Sequence, residues 1–232
     1  AMKAADDAWL FKMLTKGLAR QHGMTATFMA KPKPDESGTG MHVHFSVTDA
    51  EGRNVFDDGT DAGTDVMRHS VAGCLQAMAA STLIFAPHAN SFERLVPNAH
   101  APTGVSWAYE NRTASIRIPA GPGAARRIEH RVAGGDTNPY LLLAVILGAA
   151  MNGIDRALAP PPPVEGNAYD LALPHLPGTW TEALDLFETS ADMADILPGL
   201  LRENLLRTKR QEMALITDLS DEEQQSVYLD RV

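Results

Sequence analysis

Residues 37–46 read Ser-Gly-Thr-Gly-Met-His-Val-His-Phe-Ser, and from Met41 to Thr48 apolar and polar side chains alternate without a fault. Side chains of a strand point to opposite faces with period two. Met41, Val43, Phe45 and Val47 therefore share one face, and His42, His44, Ser46 and Thr48 the other. One face is made to pack; the other holds two imidazoles and a hydroxyl in water. Such a strand belongs to a sheet covered on one side only.

The surrounding elements follow from equally local signals. Asp49-Ala50-Glu51-Gly52 is a hairpin-type turn, with Asn54-Val55-Phe56 returning. Residues 4–22 carry Leu10, Met13, Leu14 and Leu18 at helical spacing, with Gly23 as the stop. Met24 to Lys31 is β-prone, ended by Pro32 and Pro34. Thr64 caps a helix through about Leu83, with Val66, Gly73, Cys74, Ala77 and Met78 facing inward. From Phe85 to Pro102 runs a long loop without periodicity, FAPHANSFERLVPNAHAP, a length that in compact domains points to function or disorder. Strands are expected around Thr113–Ile118 and Arg127–Val132. Asn138 and Pro139 supply the cap and first position of a helix to about Leu158. Ala159 to Val164, APPPPV, is a polyproline II connector. The remainder reads as helix broken near Pro198 and Ser220. Helices with mainly antiparallel strands predict an α+β fold.

Composition excludes several classes. A net charge of −9 over 232 residues argues against a nucleic-acid platform, since phosphate backbones demand a basic face. Arginines nonetheless crowd between Arg94 and Arg131, the pattern of an anion pocket inside an acidic protein. The lone Cys74 rules out an intrachain disulfide framework and fits a reducing, cytoplasmic setting. The polar start Ala-Met-Lys-Ala-Ala-Asp-Asp is unlike a signal peptide. The longest apolar run, Tyr140 to Met151, is shorter than the roughly 20 residues needed to cross a bilayer, so no membrane partner is expected.

In Arg127-Ile128-Glu129-His130-Arg131, alternation puts Arg127, Glu129 and Arg131 on one face, a carboxylate between two guanidiniums. That face reads either as part of a site or as a solvated edge strand with surface ion pairs. His42 and His44 with a glutamate make an N/O set suited to a divalent metal, Mn²⁺ more readily than Mg²⁺ where imidazole ligates. Arg94, Arg112, Arg117, Arg127 and Arg131 are forks for carboxylates and phosphates. Several of them near a divalent cation suggest phosphoryl transfer, in which charge neutralisation and positioning do most of the work. There is no Walker-type loop. Gly38 and Gly40 can let backbone approach a ligand, or only form the turn into the strand.

Five motifs in order, G-T-G-M-H-V-H-F-S, N-S-F-E-R-L-V-P, E-N-R-T-A-S-I-R-I-P, A-R-R-I-E-H-R and N-P-Y-L-L-L-A, span Gly38 to Ala144. Together they resemble the C-terminal catalytic region of the glutamine synthetase family. V-P-N-A-H-A-P and R-V-A-G-G-D-T-N-P-Y look closer to its γ-glutamylpolyamine (γ-glutamylputrescine) synthetase branch.

The resemblance implies that His42 and Glu129 ligate Mg²⁺ or Mn²⁺, and that His44, Ser46, Arg112, Arg117 and Arg127 face ATP. Gly38, Arg94 and Arg131 would hold glutamate, and His100 and Arg112 would serve catalysis. It implies an ATP-dependent ligase joining an amine, here organic, to the γ-carboxylate of glutamate through a γ-glutamyl phosphate. Ammonium, as in true glutamine synthetase, is the alternative, and a nucleotide- or metal-binding module without turnover is another. Two departures stand out. Ser37 replaces an asparagine before the first glycine, and His100 replaces the flap glutamate that suits ammonium. Residues 1–232 would be the C-terminal part of the catalytic domain, lacking a β-grasp domain and the first catalytic strands, and inactive alone. The parent would be a ring-shaped homo-oligomer with shared active sites. Tyr169, in N-A-Y-D, lies near where some bacterial members carry a nucleotidylated tyrosine; as a lone match it reads first as a packed loop residue.

Overall fold

The computed structural model describes residues 1–232, except the side chains of Asp221 and Asp230. In chain order come α1 (Met2–Gln21), β1 (Val43–Phe45), α2 (Asp65–Phe85), β2 (Trp107–Tyr109), β3 (Ile116–Ile118), β4 (Ile128–His130), α3 (Pro139–Asp155), α4 (Trp180–Thr189), α5 (Ala191–Ile196), α6 (Gly199–Ile216) and α7 (Asp221–Arg231). The fold is α+β, as the pattern predicts: a small sheet at one end of a helical body.

Local chemistry explains the helix ends. Thr64 accepts from the Met67 amide, and Asn138 accepts from the amides of Tyr140 and Leu141 ahead of Pro139. Thr179, Ser190 and Ser220 cap α4, α5 and α7 in the same way, each satisfying donors that a helix start leaves open. At the end of α1, Gly23 adopts φ +68° while the Met24 and Gly23 amides bond back to the carbonyls of Ala19 and Arg20. Only a left-handed residue allows that closure, which is why a glycine stands there.

The sheet order is β1-β4-β3-β2, with β1–β4 and β4–β3 antiparallel and β3–β2 parallel. Ile116, Ile118 and Ile128 form its inner face and join one core with Val71, Cys74 and Met78 of α2 and Leu142, Val145 and Ile146 of α3. His130 lies on this dry face, 1% exposed and packed against Phe85 with ring centroids 4.6 Å apart at a tilt of 57°. Where α2 crosses α3 the backbones touch. A Cβ on Gly73 would stand 2.0 Å from the Ala149 carbonyl oxygen, and one on Gly153 2.0 Å from that of His69.

Four expectations need correction. Met24–Lys31 forms no strand. Strand Trp107–Tyr109, unread in the sequence, pairs in parallel, so the sheet is mixed. The long loop contains a 3₁₀ turn, Ala89–Glu93. In α1 the apolar stripe is outward: Leu10, Met13, Leu14 and Leu18 are all exposed, with Trp9 and Phe11, while Ala5 is the buried residue. The helix meets its neighbours through its other side instead. Lys12 donates to the Thr137 carbonyl at 2.8 Å, and Asp6 accepts from the Tyr140 hydroxyl at 2.7 Å. No helix among the described residues is long and apolar enough to cross a membrane.

Candidate active site

The strand register builds the site. His44 pairs with Glu129 between β1 and β4, and Arg117 pairs with the same Glu129 between β4 and β3. Three polar residues therefore form one row across three strands on the outer face. Glu129 is only 3% exposed because its neighbours cover it. Its Oε2 accepts from Arg117 at 2.8 Å and its Oε1 from Arg131 at 2.5 Å. Burial alone would raise its pKa, but the Arg117 hydrogen bond and the charge of Arg131 outweigh this and hold it below its ordinary value. It is a fixed anion.

The second guanidinium at Glu129 is thus Arg117, not Arg127. Arg117 stands directly opposite Glu129 on the paired strand, within reach of its second oxygen. Arg127 turns to Nδ1 of His44 at 3.3 Å and to the Ala125 carbonyl at 3.1 Å. Arg117 is bracketed by two carboxylates, since Glu110 also accepts from it at 3.1 Å. Glu110, at φ +52°, bonds the Ala120 amide as well; sequence reasoning quoted this residue without giving it a role.

Nδ1 of His42 is 3.1 Å from Oε1 of Glu129. Burial, then the charge of Arg131, lowers the His42 pKa to about 4; that of His44 is also lowered, chiefly by burial. Both imidazoles are neutral near pH 7. Nδ1 of His42 faces both Oε1 of Glu129 and, at 3.4 Å, Nη1 of Arg131; a neutral imidazole keeps one nitrogen lone pair free of a proton, which is what a metal-binding histidine offers. The donor set, one imidazole nitrogen and a carboxylate, fits a divalent cation. It is a corner of such a site: among the described residues no group of three or more His, Cys, Asp or Glu is placed to hold a metal ion.

Beside this corner opens a cleft of about 500 Å³ lined by His42, Asn98, His100, Arg112, Thr113, Arg131, Asn167 and Tyr169. Arg112 is exposed to it, and its carbonyl accepts from Arg131 at 3.0 Å. His100 stands at the mouth with φ +60°, two residues after Asn98 at φ +64°. Histidine and asparagine are among the side chains that best tolerate that left-handed region. The lining carries two guanidiniums and no carboxylate. His44, Ser46 and Arg127 lie further out on the same sheet face.

Arg94 and Gly38 are not among the residues that line the cleft. Arg94 is 4% exposed and donates to the carbonyls of Val132 and Ala133, both at 2.9 Å. A Cβ on Gly38 would stand 2.6 Å from the Ala30 carbonyl oxygen and 2.9 Å from Cγ of Arg94. The glycine makes room for the buried arginine, where a ligand contact was expected. Asn98, Thr113, Asn167 and Tyr169 complete the cleft. No periodicity marks them, since they lie on loops that meet only in the fold.

The family described as glutamine synthetase, catalytic domain, matches residues 1–228. The γ-glutamylethanolamide synthetase GlnA4 of Streptomyces coelicolor is 43% identical over 190 residues, covering 82% of this chain and 40% of the relative. The γ-glutamylputrescine synthetase PuuA of Escherichia coli is 40% identical over 169 residues, 73% of this chain and 36% of the relative. A glutamine synthetase of Pyrococcus abyssi is 39% identical, covering 91% of this chain and 49% of its own length. The chain thus spans about half the length, or less, of these relatives. Among solved structures, GmaS in complex with ADP superposes with a TM-score of 0.84 at 29% identity, over 96% of this chain and 53% of GmaS.

Proposed function

The chain belongs to the glutamine synthetase family, and from that premise we propose that the whole protein joins an amine to the γ-carboxylate of glutamate, using ATP. The γ-carboxylate attacks the terminal phosphorus of ATP and ADP leaves. The amine nitrogen then attacks the acyl carbon of the γ-glutamyl phosphate and inorganic phosphate leaves. Splitting the condensation into two displacements makes each barrier lower.

One observation carries the reading: a cleft that presents Arg112 and Arg131, with no carboxylate in its lining, beside the His42–Glu129 corner. The exposed Arg112 fork, with Arg131 beside it held by Glu129, suits a carboxylate of glutamate. His42 and Glu129 would hold Mg²⁺ or Mn²⁺, which supplies charge neutralisation for the transferring phosphoryl group. His44, Ser46 and Arg127 offer the adjoining face for the nucleotide, with Arg112 between the two substrates. His100, at the mouth, is placed to take the proton from the attacking amine.

We read the amine as organic, because His100 stands at the cleft where the family resemblance expects the flap glutamate that suits ammonium. The names of GlnA4 and PuuA, and of a 37%-identical glutamate–isopropylamine ligase from Pseudomonas, agree with an organic amine. The test is glutamate-dependent ADP release by the full-length protein with ammonium, methylamine, ethanolamine, isopropylamine and putrescine. An organic amine should give the highest kcat/KM. No glutamate-dependent release with any of them would overturn the ligase reading, and ammonium ranking first would leave plain glutamine synthetase.

A further inference from the structure

Two segments distant in sequence face each other across the cleft. One is the exposed stretch 96–100 ending in His100; the other is the 3₁₀ turn Ala168–Asp170 with Asn167 before it. The turn is tightly fastened. Asn111 donates to the Gly166 carbonyl at 2.7 Å, the Thr113 hydroxyl accepts from the Ala168 amide at 2.9 Å, and the Asn167 side chain accepts from the Tyr169 amide at 3.3 Å. Asn111 and Thr113 flank Arg112, so the turn and that arginine are held by one short piece of chain.

From this anchored turn Tyr169 reaches over the cleft and donates its hydroxyl proton to the Ala101 carbonyl at 2.8 Å. Ala101 is buried and follows His100 directly. Just beyond, the chain is fastened again: the Leu176 amide bonds the Thr103 carbonyl at 2.9 Å and the Val105 amide the Pro174 carbonyl at 2.7 Å. The loop is therefore pinned from residue 101 onward, while the residues before it stand in solvent. The tyrosine bond is the pin nearest to His100.

We propose that Tyr169 is a positioning residue for the amine half-reaction: its hydroxyl, through the Ala101 carbonyl, fixes where His100 stands over the cleft, and its ring forms the wall facing the amine. This rests on the ligase reading above. A neutral hydrogen bond is worth about 0.5–1.5 kcal/mol net, so losing it lets His100 drift without unfolding the loop, which keeps its other fastenings.

The test compares the full-length wild type with Tyr169→Phe, which keeps the ring and loses the hydroxyl, and repeats the change in a His100→Ala background. Tyr169→Phe should lower kcat/KM for the preferred amine about 3–10-fold, the range that bond energy allows. KM for ATP and for glutamate should stay unchanged, and Tm should fall by no more than about 5 °C, the loss of one hydrogen bond. In the His100→Ala background the same substitution should have almost no further effect, as expected of residues acting through one another. Equal losses in both backgrounds, or parallel shifts in all three KM values with a larger fall in Tm, would reduce Tyr169 to a structural strut and overturn the proposal. An unchanged amine kcat/KM in Tyr169→Phe would overturn it as well. Absence of glutamate-dependent turnover in the wild type would instead fell the ligase reading, and this inference with it.

Discussion

Nδ1 of His42 and Oε1 of Glu129 approach to 3.1 Å across the β1–β4 pair, with the carboxylate almost wholly covered and the imidazole at the edge of the cleft. Such a pair, neutral nitrogen and fixed anion, is what a divalent cation meets on this side of the site. Register creates it, since His44 rather than His42 is the direct partner of Glu129, and His42 leans in from the end of the strand.

In the full-length protein, His42→Ala and Glu129→Ala should each remove glutamate-dependent ADP release. A loss of about 100–1000-fold or more is expected when one preorganised charge contact in a reacting centre is deleted. Glu129→Gln should also destabilise the fold, because Arg117 and Arg131 would then face a neutral amide. Removing one partner from a buried charge network costs about 3–5 kcal/mol. Steady-state assays and urea unfolding check the two effects separately. Wild-type turnover in either alanine variant would remove this corner from the site.

Arg131→Lys keeps the charge and loses the fork that bonds Glu129 through one nitrogen and the Arg112 carbonyl through the other. Glutamate KM should rise about tenfold or more, with a much smaller change in KM for ATP, because a point charge cannot reproduce bidentate geometry. An unchanged glutamate KM would mean that this side of the cleft does not hold the amino acid.

His100→Glu adds the negative charge that the cleft lining lacks. An anion at the mouth attracts ammonium and accepts its proton, so the ratio of kcat/KM for ammonium to that for the best organic amine should rise about tenfold, the equivalent of 1.4 kcal/mol. Competition assays with mixed amines measure this ratio directly. A ranking that stays fixed would exclude His100 from amine selection.

Stability should fall with acidification earlier than carboxylates alone would dictate. Burial pushes the His130 pKa down to about 3, and burial with Arg131 pushes that of His42 to about 4. In the unfolded chain both titrate near 6.5. Between these limits the unfolded state binds more protons, so stability is complete above pH 6.5 and declines below it; buried His130 contributes up to about 1.4 kcal/mol per pH unit, and the solvent-screened His42 less. Urea unfolding at pH 7.5, 6 and 5 should show a shallower decline in His130→Leu than in wild type. Parallel slopes would contradict a neutral His130 against Phe85.

Much of the site is legible in the sequence where the signal is local. Alternation from Met41 to Thr48 assigns His42, His44 and Ser46 to the wet face, and the structure keeps that assignment. The caps at Thr64 and Asn138 and the turn at Gly52 are read correctly because a cap or turn depends on atoms within a few residues. Strand β2 was missed for the opposite reason: three residues between two loops carry no period, and only their parallel pairing with β3 makes them a strand.

By itself the sequence determined the wet and dry faces of β1 and β4, the caps that start α2 and α3, and the ordered motifs that mark the family. The tertiary structure alone decided that Glu129 takes Arg117 rather than Arg127, that the apolar stripe of α1 faces outward, and that Tyr169 meets Ala101 across 68 positions of chain. The difference is physical. Periodicity and capping act over one or two turns of backbone, whereas register, crossover order and the meeting of loops are set by how the whole core closes.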